Sequence, residues 1–182
     1  MTTTTDTRTA LPVGTWTLDP GHSTIGFEVE YLGGTFRGQF REVEAKLVAE
    51  GDSPVLSGSA KVASVDVKDE NLNVHLQSPD FFDAERYPEL SFESSEIRQE
   101  GDEVVIRGGI TIRGVEKSIE LRGTIGEPIT DYAGRERIAL KLETTVDRTE
   151  FGVDWNAPLP DGNQALRNDV SVAAELYLVK EA

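Results

Sequence analysis

The chain of 182 residues contains no cysteine, which excludes disulfides, thiolate metal sites and a cysteine nucleophile. Positive charge is scarce: 18 lysines and arginines stand against 33 aspartates and glutamates, for a formal net charge of -15. Such a chain repels nucleic acid, and it has no basic patch to seek an anionic membrane surface. No apolar run approaches the ~18 residues of a spanning helix, so stable membrane insertion is not expected. The two histidines, His22 and His75, share no H-x-x-H, H-x-H or HExxH spacing. The glycine motifs of dinucleotide and P-loop sites and the GxSxG elbow are also missing. Metals and cofactors are therefore not expected.

What is present is a globular composition, 37% hydrophobic and 28% charged, in a length suited to one domain. The polar, threonine-rich start MTTTTDTRTALP lacks the apolar stretch of a signal peptide. Residues 1–14 are expected to be a loose tail, 15–182 a single domain, and the protein cytoplasmic.

Alternation with period two dominates that domain. TIGFEVEY places Ile25, Phe27, Val29 and Tyr31 on one face, with Glu28 and Glu30 on the other. VVIRGGITIRG, SIELRGTIG, RIALKLETTVD and VSVAAELYLV repeat the pattern. One apolar and one wet face per strand is the antiparallel signature. Eight main strands are expected, at about 23–31, 36–49, 54–67, 89–98, 103–113, 117–126, 135–147 and 169–179, after a short leading piece, TWTLD. The apolar phase slips between Phe40 and Val43 and again between Val62 and Val65, as at a bulge or sharp bend. Such strands make a sandwich or a closed barrel; closure removes the edges and leaves room for one small ligand.

Residues 69–87 interrupt the rhythm. DENLNVHL spaces Leu72 and Leu76 four apart after an aspartate cap, and SPDFFDAE suggests a second helical turn. An insert there lies across one open end, placing Phe81 and Phe82 at the mouth. Inward-facing Phe27, Val29, Phe36, Phe40, Phe92, Ile106, Ile110, Ile112, Leu140 and Leu142 make an apolar stripe. Gly38, Gly58, Gly108, Gly123 and Ala174 punctuate its phase and are expected to thin the filling. Large aromatics, including Phe151 and Trp155, gather at the ends. A tube of this kind suits a long apolar chain. The plainer alternative is a solidly packed structural or stress-related homodimer. A third is a lipid-modifying barrel enzyme using His22 and His75 as acid and base. Ser23 adjoins His22, but neighbours on a strand point to opposite faces and do not pair as base and nucleophile.

WTLDPGHSTIGFEVEYLGGTFRGQF, HLQSPDFFDAERYPELSFES, IRGGITIRGVEKSIEL, RTEFGVDWN and LRNDVSVAAELYL follow one another in the order of the YceI family, which the chain resembles from about Thr15 to Leu178. The resemblance implies an all-β, eight-stranded antiparallel, lipocalin-like barrel with a short helical insert (about 69–87) closing one end. It also implies a non-catalytic carrier that holds a polyisoprenoid or similar amphiphile and is often a homodimer. Family-like positions include His22, Ser23, Gly38, Phe40, His75, Leu76, Phe81, Phe82, Pro88, Phe92, Gly114, Arg148, Phe151 and Gly152. The expected lining is thus the apolar stripe together with Leu76, Phe81, Phe82, Phe151 and Trp155. Head-group candidates are His22, His75, Arg113 and Arg148, although Arg148 equally suits a structural ion pair with its acidic neighbours. Many relatives carry Arg-Asp ahead of the His-Leu of the insert; here Leu72 and Asn73 stand there, which favours a neutral or quinone-like head group over a pyrophosphate.

Overall fold

A computed structural model describes residues 11–182 apart from position 52. Eight long antiparallel strands run up and down around a closed barrel, and the first three are each bent into two pieces. The first is β1 (Gly14–Leu18) and β2 (Thr24–Tyr31); the second is β3 (Gly34–Phe40) and β4 (Val43–Ala49). The third joins β5 (Val55–Lys61) to β6 (Val65–Asp66) through the 3-10 turn Val62–Ser64. Then come β7 (Glu89–Glu100), β8 (Glu103–Ile112), β9 (Val115–Ile125), the short β10 (Ile129–Thr130), β11 (Glu136–Asp147) and β12 (Leu166–Lys180). The ring closes because β11 pairs with both β9 and β12, and β12 returns to β1 and β2.

The two phase slips read from the sequence are the bends at Arg41–Glu42 and at Val62–Ser64. They lie side by side, stitched by Arg41 N–H to Ser64 O (3.0 Å) and Lys61 N–H to Glu42 O (2.9 Å). Each bend keeps apolar residues inward on both of its arms, so Phe40, Val43, Val62 and Val65 are all buried.

The insert opens as expected with helix α1 (Glu70–Gln77). The Asp69 carboxylate accepts the N–H groups of Asn71 and Leu72, which the first helical turn leaves unpaired. After Gln77 the chain makes tight turns rather than a second helix: Phe81 N–H reaches Ser78 O (3.0 Å), and Tyr87 N–H reaches Asp83 O (2.8 Å). Of the expected loose tail, residues 1–10 lie outside those described. The rest is tied down, with Leu11 packed on the core and Pro12 O accepting the Trp16 indole N–H at 2.9 Å. The leading piece TWTLD falls in β1 and its end.

The core fills the barrel end opposite α1. Trp16, Leu47, Leu56, Val104, Ile106, Leu140 and Leu178 are each at most 3% exposed. Full burial of each such side chain is worth about 1.5–3 kcal/mol.

Candidate functional site: an apolar cavity under an aromatic cover

Cross-strand register sorts the inward residues into rows. On β11, β12, β2 and β3 the top row is Val146, Val170, Val29 and Phe36. The next is Thr144, Val172, Phe27 and Gly38, and below it stand Leu142, Ala174, Ile25 and Phe40. Across the barrel, β4, β5, β7 and β8 contribute Ala45, Gly58, Phe92 and Ile110. Apart from Gly38, all these residues line a cavity of about 370 Å³, within the ~300–1,000 Å³ of ordinary ligand pockets. The solidly packed alternative required an interior without such a space.

Of the expected lining residues, Phe27, Val29, Phe36, Phe40, Leu76, Phe81, Phe82, Phe92, Ile110, Ile112, Leu142, Phe151 and Trp155 surround the cavity. Ile106 and Leu140 do not; they sit in the solid end, Leu140 paired with Ile125 and Leu176. Period two assigns a face, not a height along the barrel.

The small residues expected to thin the filling divide in two. Gly58 and Ala174 line the cavity, but Gly38, Gly108 and Gly123 leave no hollow. A Cβ on Gly38 would meet the Phe27 ring at 2.4 Å, and one on Gly108 would meet Glu93 O at 2.3 Å. On Gly123 it would lie 1.6 Å from Lys141 O. These glycines admit a ring or a neighbouring strand instead.

The cover is aromatic. His75, Phe81 and Trp155 pack mutually, with centroids 4.9 Å (His75–Phe81), 5.2 Å (His75–Trp155) and 5.4 Å (Phe81–Trp155) apart. Phe82 turns down onto Phe40, 5.8 Å away. Leu72 on α1 and Tyr31 at the β2–β3 turn line the cavity while 42% and 39% exposed, so they mark its rim. Sequence reading passed over Leu72, Tyr31, Thr144, Val170, Val172 and Val153 as lining residues; the phase of the last strand was the available signal for Val170 and Val172.

The head-group candidates separate. His22 stands at the β1–β2 turn, its Nδ1 2.9 Å from Asp19 Oδ2 and its ring against Tyr177. From Leu166 at the mouth to Tyr177 is roughly 35 Å of strand. His22 and His75 therefore occupy opposite barrel ends and share no reacting atom. The hydroxyl of Ser23 donates to Asp19 O (2.8 Å) and accepts the Tyr177 N–H (2.9 Å), a structural knot away from the imidazole's pair. His75 lines the cavity, with Nε2 3.0 Å from Asp80 Oδ2.

Arg148 lines it too, but its guanidinium is occupied. Nε donates to Arg167 O at 2.9 Å, and Nη1 to Val153 O and Trp155 O, both at 2.8 Å. Nη2 reaches Leu166 O (3.5 Å) and Asn168 Oδ1 (3.4 Å). Burial pulls the Arg148 pKa below the ordinary guanidinium range, while the charges of Asp147 and Asp154 act the other way. It thus organises the 148–168 segment, which carries Phe151 and Trp155. Asn73 accepts the Val67 N–H at 2.7 Å and ties α1 to the wall. No group of three or more His, Asp or Glu suited to a metal occurs among the described residues. No helix there is long and apolar enough to cross a membrane.

A closed eight-stranded antiparallel barrel with a covered apolar cavity is the class that fold and site define. The YceI-like domain model matches residues 16–178, and the chain belongs to that family. It is 32% identical over 137 residues to a UPF0312 protein of Photorhabdus laumondii, covering 72% of this chain and 71% of that one. Protein YceI of Escherichia coli O157:H7 is 25% identical over 136 residues, with the same two coverages, 72% and 71%. In structure the chain is similar to BcnA of Burkholderia cenocepacia (TM-score 0.75, 19% identity, 88% of this chain and 98% of that one). It is also similar to a polyisoprenoid binding domain from Saccharophagus degradans (TM-score 0.70, 12% identity, 91% and 98%).

Proposed function

We propose that the protein is a non-catalytic carrier that holds a polyisoprenoid or similar long-chain amphiphile in the barrel. The observation that supports this is the cavity itself: stacked rows of aliphatic and aromatic side chains, roofed by His75, Phe81 and Trp155. Each CH₂-sized group buried there contributes about 0.8 kcal/mol, which association and chain ordering partly offset. Contact of this kind reads length and shape.

The polar contents favour a neutral head group. A pyrophosphate calls for cationic donors aimed at it. Arg148 spends its donors on Asn168 and main-chain carbonyls, Arg113 also donates to carbonyls, and position 72 is leucine. Thr144 and His75 are suited to a quinone, alcohol or other neutral group. The proposal includes a cytoplasmic homodimer, tested by cell fractionation and light scattering.

The decisive experiment is native purification, organic extraction and mass spectrometry against denatured blanks. A stoichiometric isoprenoid with a neutral head group is the expected result. An empty protein that also refuses labelled isoprenoids would overturn the reading.

A further inference from the structure

The barrel wall has a seam. β9 and β11 pair only from Ile125–Arg122 to Leu140–Glu143. Above this, β9 continues up to Val115 paired with β8, and β11 continues to Asp147 paired with β12. The facing edges of 115–121 and 144–147 therefore lack a ladder between them, beside the hollow half of the barrel. Ile119 and Leu121 on one edge and Thr144 and Val146 on the other all line the cavity. Phe151 and Val153, from the segment that leaves β11, join Val115, Ile119 and Val146 in one apolar cluster and are 1% and 6% exposed. Side chains, rather than strand pairing, close this part of the wall.

One residue joins the side closure to the roof. The β8–β9 hairpin turns through Arg113 and Gly114, with φ of +51° and +73°. Both central residues of such a turn need positive φ, and asparagine or glycine is the ordinary occupant of the first position. Arginine is strained there, and strain of this kind points to a task. Its Nη1, which bears two N–H groups, donates to Phe81 O in the cover (3.1 Å) and to Gly152 O in the segment after β11 (2.8 Å). Tyr87, at the end of the insert, lies on the same hairpin tip; a Cβ on Gly114 would meet its ring at 2.6 Å.

We propose that Arg113 is a clasp that holds the cover and the side plug shut together, and that ligand enters and leaves when both of its bonds break. The inference rests on the lipid-carrier reading. Arg113 is a positioning residue here: it does not line the cavity, and it acts through the main chain at Phe81 and Gly152. Two segments held by one nitrogen open as a unit, so the rim at Leu72 and Tyr31 and the seam at Ile119 and Val146 become one continuous exit.

The test uses Arg113→Gly, which suits the turn better than arginine and so preserves the hairpin, with Arg113→Lys as the charge-conserving variant. The probe is geranylgeraniol esterified with fluorescent anthranilate, and its displacement by excess unlabelled geranylgeraniol is followed in time. The expected result is at least tenfold faster release from Arg113→Gly at an unchanged or higher Tm, with Arg113→Lys intermediate. A second, ligand-free readout is amide hydrogen exchange: residues 78–87 and 149–157 should lose protection together in Arg113→Gly. Unchanged release, or loosening of one segment alone, would overturn the clasp. If wild-type protein takes up no probe, the carrier reading fails while the exchange experiment still judges the joint opening.

Discussion

Leu140 and Leu142 stand two residues apart on β11, face the same side of the wall and are equally buried at 2% exposure, yet they meet different surroundings. Leu140 is paired with Leu176 and Ile125 and belongs to a filled core. Leu142 is paired with Ala174 and Gly123 and looks into the cavity. The strand does not change between them; the volume of its partners does. At Gly123 the space of a side chain is taken by the Lys141 carbonyl, so the strands draw together, whereas at Ala174 the missing bulk is left open. Solid and hollow halves of one barrel thus differ by a row of small residues and by what covers the end.

The solid half should carry stability and the hollow half retention. Trp16→Ala removes the largest fully buried side chain of the filled end, and a loss of about 3–5 kcal/mol is expected in denaturant unfolding. Lipid bound per folded molecule should not change. A proportionate fall in bound lipid would break the division between the halves.

Ala174→Leu extends the filled end upward by one row. Cavity filling commonly adds about 0.5–2 kcal/mol, so Tm should hold or rise while extractable lipid falls at least tenfold. Undiminished lipid would mean that the ligand's deep end lies above this row. A smaller change in stability is expected from Phe82→Ala. The Phe82 ring is only partly buried and already borders open space, so the cost should fall below the ~3–5 kcal/mol of a fully buried phenylalanine. Retention, measured as the release rate of a labelled isoprenoid, should suffer more than the fold. Equal losses in both would make the cover ordinary core.

Much of this was legible in the sequence because alternation reports which face a residue occupies. The eight strands, the two bends at 40–43 and 62–65, the Asp69 cap and the mouth position of Phe81 and Phe82 all follow from local pattern and turn chemistry. Height along the barrel did not follow, which is why Ile106 and Leu140 were grouped with true lining residues such as Ile110 and Leu142. The partners of the arginines were hidden for a related reason. A guanidinium near a mouth looks like an anion site until its carbonyl partners are known. Those of Arg148 lie up to 19 residues away in the chain, and Phe81, which Arg113 reaches, lies 32 away. The β9–β11 seam was equally hidden, since an unpaired edge carries the same alternation as a paired one.

The smallest effect belongs to the floor of the solid half, where Arg137 bridges Asp19 in the β1–β2 turn and Asp131 in the β10–β11 turn. The Arg137 guanidinium is the main reason that both carboxyls titrate at about 2 instead of 3.8, aided by His22 at Asp19 and by the Arg135 N–H at Asp131. A carboxyl whose pKa is depressed by folding contributes stability that is fully present above its unfolded value and is lost as protons bind the folded form. Tm should therefore be insensitive to this cluster above the ordinary carboxylate range and should fall as pH drops from 3.8 towards 2. Because the cluster is only partly covered at the barrel surface, screening still keeps the gain modest. Arg137→Met should lower Tm slightly at neutral pH and flatten part of the acid slope. An unaltered slope would assign the acid loss to carboxylates elsewhere. A loss of bound lipid in the same variant at neutral pH would show that the solid floor and the hollow half are coupled after all.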